Sequence, residues 1–174
     1  MAAAQHAKST ATPTLDPDQI QHAEREMLGP FSRNDGENPY QLHDELQKIM
    51  QSLVGIFRTE QDLSQALVEI ERFQKRSREL SISGSRMFNP GWHLCRDLKS
   101  MLTVAEAVTR SALARRESRG AHSRIGFPNY DPIWGKQNNI ISVRDDRMQL
   151  RQQPTTPLPE DLQALVADEK LAGA

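Results

Sequence analysis

The sequence predicts an all-α fold, a three-helix up-down-up bundle in the manner of a spectrin repeat. An irregular C-terminal tail with room for one short strand follows it. Three observations predict this. Apolar residues recur at helical spacing in three separate stretches between 38 and 118. Each stretch opens on a residue suited to cap a helix. Short connections join them, which favours antiparallel neighbours. No single stripe can bury itself, and three together can.

The elements follow in order. Residues 1–16 are rich in Ala, Thr, Ser and Pro and read as a flexible lead. Ile20, Ala23 and Met27 predict a short helix over 18–28, stopped by Gly29-Pro30. Asn38-Pro39 opens the first long helix: Asn38 caps, Pro39 takes the first helical position, and Gln41 completes the capping box. Its stripe is Leu42, Leu46, Ile49, Met50, Leu53 and Phe57, with Gly55 placed inside the helix for close backbone contact. Thr59-Glu60-Gln61-Asp62 opens the second, whose stripe is Leu63, Ala66, Leu67, Ile70 and Phe73. Asn89-Pro90 repeats the capping device, and the third helix runs from about Gly91 to Arg116. Asn139 to Val143 is short and β-branched, a candidate strand, and 160–171 suits a terminal helix. The organisation expected is a linker-like lead over 1–37, the bundle over 38–118 and an irregular extension over 119–174.

Composition excludes several function classes. The formal net charge of the 174 residues is -1, so no global field draws the chain to nucleic acid. No run of about 18 apolar residues exists, so direct membrane insertion is not expected. One cysteine, Cys95, leaves no internal disulfide. No G-x-G-x-x-G or P-loop motif occurs, so no nucleotide cradle is expected. The basic run Arg72, Lys75, Arg76 and Arg78, interleaved with acids, reads as a solvated helix face. Trp92 and Trp134 read as packing residues.

Chemistry-bearing residues are few. His93, Cys95 and His122 match no zinc-ligand spacing, which weakens both a metal centre and a thiol nucleophile. The dense block is Glu117-Ser118-Arg119-Gly120-Ala121-His122-Ser123-Arg124, just after the third helix. Its glycine suits a sharp helix end, and its cations either complement the helix dipole or face a polar partner.

This block belongs to a wider set of segments. They are Gly36-Glu37-Asn38-Pro39-Tyr40, Val54-Gly55-Ile56-Phe57-Arg58, Phe88-Asn89-Pro90-Gly91-Trp92, Ala112-Leu113-Ala114-Arg115, and the block itself leading to Phe127-Pro128 and Asp131. Together they resemble the C-terminal domain of the succinate dehydrogenase/fumarate reductase flavoprotein subunit, over roughly 15–147. The Asn-Pro-Gly-Trp element is most similar to the actinobacterial-type branch. Gly126 departs from the pattern, because the family usually has an acidic residue there.

The resemblance implies a helical domain packed beside a flavin-binding domain, in a family that interconverts succinate and fumarate through FAD. It also implies an iron-sulfur subunit as electron partner, and a cytoplasmic place peripheral to the inner face of the membrane through partner subunits. The family's FAD fingerprint and substrate-binding residues have no counterpart here. No catalytic, cofactor-binding or metal-binding residue is therefore expected in this chain alone. The expectation is a domain separated from its catalytic part, with Arg119, His122 and Arg124 docking it to the flavin domain or the iron-sulfur subunit. The alternative is a stand-alone helical interaction protein derived from that domain.

Overall fold

A computed structural model of the chain describes residues 2–11, 14–145, 147–160 and 162–163. Among these lie five helices: α1 (Ala2–Ser9), α2 (Pro17–Ser32), α3 (Pro39–Leu53), α4 (Glu60–Arg76) and α5 (Pro90–Ala114). Four strands form two small sheets: β1 (Phe57–Arg58) with β2 (Ser123–Arg124), and β3 (Gln137–Arg144) with β4 (Arg147–Pro154). The fold is thus mixed α/β. This corrects the all-α three-helix bundle read from periodicity. The three apolar stripes lie on real helices, except that Phe57 of the first falls in β1 and is 73% exposed, and among the described residues the tail holds β2, β3 and β4. β1 and β2 are parallel, in register Phe57↔Ser123, and two residues each are too short to show an alternating pattern. β3 and β4 form an antiparallel hairpin in full register from Gln137↔Pro154 to Arg144↔Arg147. The alternation of β4, with Met148 and Leu150 set among Arg and Gln, was too polar to read as a strand.

All three expected caps form. The Tyr40 amide donates to Asn38 Oδ1 at 2.8 Å and the Trp92 amide to Asn89 Oδ1 at 3.1 Å. The Asp62 amide donates to Thr59 Oγ1 at 3.0 Å, and that hydroxyl donates back to the Asp62 carboxylate at 2.6 Å. Each satisfies an orphan donor of a first helical turn. Two boundaries differ. α2 does not stop at Gly29-Pro30 but runs on to Ser32, with Pro30 buried in its last turn. Proline there removes one hydrogen bond near a helix end, a smaller loss than in mid-helix. α3 ends at Leu53, so Gly55 lies beyond it, and its close neighbour is the Gln51 carbonyl, 2.9 Å from where a Cβ would stand. Residues 2–9 are helical but bury nothing. The expected terminal helix over 160–171 lies for the most part outside the described residues. No helix among the described residues is long and apolar enough to cross a membrane.

The chain divides into two compact units, Met1–Gln47 with Glu71–Leu102, and Lys48–Ile70 with Thr103–Ala174. The first has a core of Leu42, Leu46, Phe73, Leu80, Cys95, Leu98 and Leu102. Arg76 leaves the basic run and turns inward. Its guanidinium sits 5.3 Å from the Phe73 ring and pairs with Glu37 and Glu45, which hold it well above the usual guanidinium range. The expected solvated face is therefore Arg72, Lys75 and Arg78 only. The Glu37 amide donates to the Glu79 carbonyl at 2.8 Å, and the Ser81 amide to the Glu37 carbonyl at 2.9 Å. Gly36 makes this interlock feasible: a Cβ there would stand 2.3 Å from Glu79 O. Gly36→Ala is expected to cost roughly 1–3 kcal/mol, the usual range for overpacking, read as a lowered urea midpoint. An unchanged midpoint would mean that the two segments do not interlock in solution.

The second unit has its core at Val54, Leu63, Ala66 and Ala112, with Ile49, Met50, Leu53 and Leu113 packed against it. Its remaining structure is built around the block after α5.

Candidate functional site

The block follows the C-terminus of α5, where four carbonyls lack intrahelical partners. The sequence supplies arginines to meet them. Arg124 is 1% exposed. Its Nη1 donates to Ala112 O at 2.6 Å, to Leu113 O at 2.9 Å and to Arg115 O at 3.3 Å. Burial and its cationic neighbours Arg116 and Arg58 push its pKa down, and only Glu60 opposes them. The Glu60 carboxylate lies 3.6 Å from Nη2, too far for a hydrogen bond, so Nη2 and Nε remain buried without one.

Glu117 is the centre of the block and is fully buried. Its carboxylate accepts from Arg119 Nε at 2.9 Å, Arg119 Nη2 at 3.0 Å, the Asp131 amide at 2.9 Å and Arg115 Nη1. These donors stabilise the charged form. The Arg119 bond is the largest cause, and against the opposing effect of burial they hold the carboxyl at about 2. Arg115 also donates to Trp134 O at 3.1 Å and Gln137 O at 2.9 Å, with its guanidinium 5.5 Å from the Trp134 ring. Arg119 lies over Tyr130, 3.6 Å from the ring centroid, and donates to Asp131 O at 3.2 Å. Gly135 permits that approach, since a Cβ there would meet Arg119 Nη2 at 2.6 Å. The Glu117 knot thus ties 115–119 to the loop 130–137.

Backbone pairing completes the block. Ser123 N donates to Ile56 O at 3.1 Å and Ile125 N to Arg58 O at 2.9 Å, which makes the β1–β2 ladder. Arg119 and His122 bond each other reciprocally at 2.8 and 3.0 Å across a tight turn. Gly120 sits in that turn at φ +56°, not at the end of α5 as its position suggested. Gly126 stands at φ +100° in the next turn, Arg124–Phe127. A residue with a side chain is strained at such an angle, which glycine adopts freely.

His122 joins two elements. Its Nδ1 lies 2.6 Å from Arg58 Nη1 and its Nε2 3.1 Å from Arg115 O. Arginine only donates, so Nδ1 accepts and Nε2–H donates: the ring is neutral. Arg58 is itself fixed by Gly55 O at 2.6 Å. Burial, opposed by the Arg115 carbonyl and reinforced by Arg58, lowers the His122 pKa from 6.5. The unfolded chain then binds a proton that the folded chain resists, so stability falls as pH drops below about 6.5 and levels off under the folded pKa. The expected result is a lower urea midpoint at pH 5 than at pH 7, with a smaller pH dependence in His122→Gln. An equal dependence in both would place the titration elsewhere.

Arg119, His122 and Arg124, the three expected docking residues, are therefore close together in one block. Their bonded donors face this chain's own carbonyls and carboxylates. Sequence reasoning named Glu117 only as part of the block and gave Arg58, Arg115 and Glu117 no site role. The run Arg115-x-Glu117-x-Arg119 was the available signal, because a carboxylate flanked by two arginines invites a shared ion pair. His93 and Cys95 join no metal cluster: no group of three or more His, Cys, Asp or Glu side chains comes together among the described residues. Cys95 is buried, and burial pushes its thiol up, away from the reactive thiolate.

Known proteins resemble this chain in sequence and fold. The model of the family described as fumarate reductase flavoprotein C-term matches residues 43–163. The succinate dehydrogenase flavoprotein subunit of Coxiella burnetii is 33% identical over 138 residues, which cover 78% of this chain and 23% of that protein. The fumarate reductase flavoprotein subunit of Helicobacter pylori is 35% identical over 100 residues, 56% of this chain and 14% of its own length. The structure of Mycobacterium smegmatis Sdh1 in complex with UQ1 superposes with a TM-score of 0.83 at 34% identity, covering 98% of this chain and 30% of that one. The chain thus spans under a quarter of the length of these two curated relatives. A family match across two thirds of the sequence, on the helices and the arginine block just described, makes this chain a member of the C-terminal domain family of succinate dehydrogenase/fumarate reductase flavoproteins.

Proposed function

We propose that this chain serves as the docking domain of an FAD-dependent succinate/fumarate oxidoreductase and carries none of its chemistry. The observation that carries the reading is the character of the β1–β2 ladder. Phe57 lies in it and Ile56 and Ile125 flank it; all three are more than half exposed, with Phe57 at 73%. Three large apolar side chains around one rigid ladder suit burial against another protein surface. Arg119, His122 and Arg124 support docking from behind, by fixing the ladder and the turn through the bonds described above. Arg119 also presents its stacked partner Tyr130, 60% exposed, to the outside.

The natural occupant is a flavin-binding domain, with an iron-sulfur subunit as the further partner, cytoplasmic and peripheral to the membrane through partner subunits. FAD supplies the redox chemistry in such an assembly. The block does not fit a flavin: the bonded donors of its arginines are held by Glu117 and by backbone carbonyls of the same chain. We assign this chain no flavin-holding residue.

The test is co-purification with a flavin-binding fragment of a relative that lacks the region matched here. Wild-type chain is expected to retain the fragment. Phe57→Glu with Ile125→Glu is expected to lose it without unfolding. Arg119→Ala is expected to weaken it. Retention by all variants, or FAD-dependent succinate oxidation by this chain alone, would overturn the reading.

A further inference from the structure

The first unit contains a cationic cavity outside the block. It has a volume of about 150 Å³ and is lined by Arg33, Arg78, Arg96 and Lys99, with Glu26 the only carboxylate and Cys95 in its wall. Four cations against one carboxylate leave an excess of three positive charges around a small space. These cations come from three separate places: the residue after α2, the turn after α4, and two successive turns of α5. Two bonds frame the cavity. Trp92 Nε1 donates to Met27 O at 2.7 Å and Lys99 bonds Glu26 at 3.2 Å, and both links join α2 to α5. Arg33 is fixed by its bond to Leu80 O at 2.9 Å. Among the described residues, no carboxylate pairs with Arg33, Arg78 or Arg96 within salt-bridge distance.

We propose that this cavity binds a small tetrahedral oxyanion, a phosphate or a phosphoryl monoester. Size points to that class. The space is several times the ~10–15 Å³ that one water needs on this measure, room for a phosphate and some of its hydration. Chemistry points the same way. Guanidinium forks match paired oxygens, and three of them with an ammonium suit a dianion better than a single carboxylate. The ligand relieves repulsion among cations that the fold holds together.

Cys95 is the reporter, since it is the only thiol of the chain and stands in the cavity wall. The experiment follows the rate at which a small thiol reagent modifies Cys95 in the full chain, with inorganic phosphate titrated against chloride at matched ionic strength. Phosphate at about ten times its Kd is expected to slow modification about tenfold and to raise the thermal midpoint. Chloride is expected to do neither. Arg78→Gln with Arg96→Gln removes two exposed lining cations and is expected to abolish both effects. Arg25→Gln, outside the cavity, is expected to keep them. Phosphoserine run in parallel distinguishes a site for free phosphate from one open to a monoester. Equal protection by chloride, or full protection retained in the folded double variant, would overturn the proposal. If the double variant does not fold, Arg78→Gln alone must weaken the phosphate effect.

Discussion

Glu117→Gln is expected to lower the stability of the chain by about 3 kcal/mol, the lower end of the range for breaking a buried ion pair. The carboxylate is fully buried and serves four donors from Arg115, Arg119 and Asp131. Glutamine keeps the volume but has one acceptor oxygen, and its amide group points donors at guanidinium donors. The loss is moderated because Arg115 and Arg119 reach solvent in part, with side chains 20% and 32% exposed. Acid has the same effect by another route. The folded pKa is depressed to about 2 from 4.5, so the contribution of Glu117 is complete above about 4.5 and is lost as pH falls towards 2. Urea unfolding between pH 6 and pH 2 separates the cases. Wild type loses stability through that window, and Glu117→Gln loses less of it. A variant with wild-type stability and an unchanged acid limb would show that the knot does not form.

Arg124→Met is the second large effect, expected at about 2–3 kcal/mol. Two opposing contributions decide it. Burying a guanidinium whose Nε and Nη2 lack hydrogen bonds is unfavourable, and methionine removes that cost. Methionine also leaves Ala112 O and Leu113 O without their shared donor at the end of α5, at about 1–3 kcal/mol for each buried acceptor that water cannot reach. The guanidinium 5.5 Å from the Phe127 ring is lost as well. The carbonyls outweigh the guanidinium, because Ala112 O and Leu113 O both depend on this one donor group, while Arg115 O keeps the His122 Nε2–H at 3.1 Å. Arg124→Lys is expected to fall between the two, since one ammonium cannot reproduce the planar fork. An Arg124→Met chain more stable than wild type would mean that desolvation of the cation dominates and that the α5 end is satisfied by water.

These predictions fall where the sequence was only partly legible. The helices were readable because the apolar stripes that hold Leu42, Leu63 and Leu98 each recur at helical spacing just after Asn38, Thr59 and Asn89, and such signals are local. The strands were not. β1 and β2 owe their existence to pairing across 64 residues, and a two-residue strand has no period. In β4 the apolar positions Met148 and Leu150 are diluted by Arg147, Arg151 and three glutamines. The arginine block stood out by density, but its wiring was hidden. Arg124 and Arg119 look alike in sequence. The fold buries the first against carbonyls and stacks the second on Tyr130, and nothing in their spacing distinguishes those fates. Gly120 and Gly126 show the same limit. Both were visible as glycines, while only the backbone reveals that each sits at positive φ in its own turn.

Docking to a flavin-binding partner is the central claim, and the most direct measurement of it is made in the source cells. A native gel of gently lysed cells is probed with an antibody against this chain, and the same lane is read for flavin fluorescence and succinate-oxidising activity. The account predicts that all three signals migrate together, and that flavin and activity part from the antibody signal only when the complex is disrupted. Antibody signal that migrates wholly apart from flavin and activity in the undisrupted lysate would contradict it.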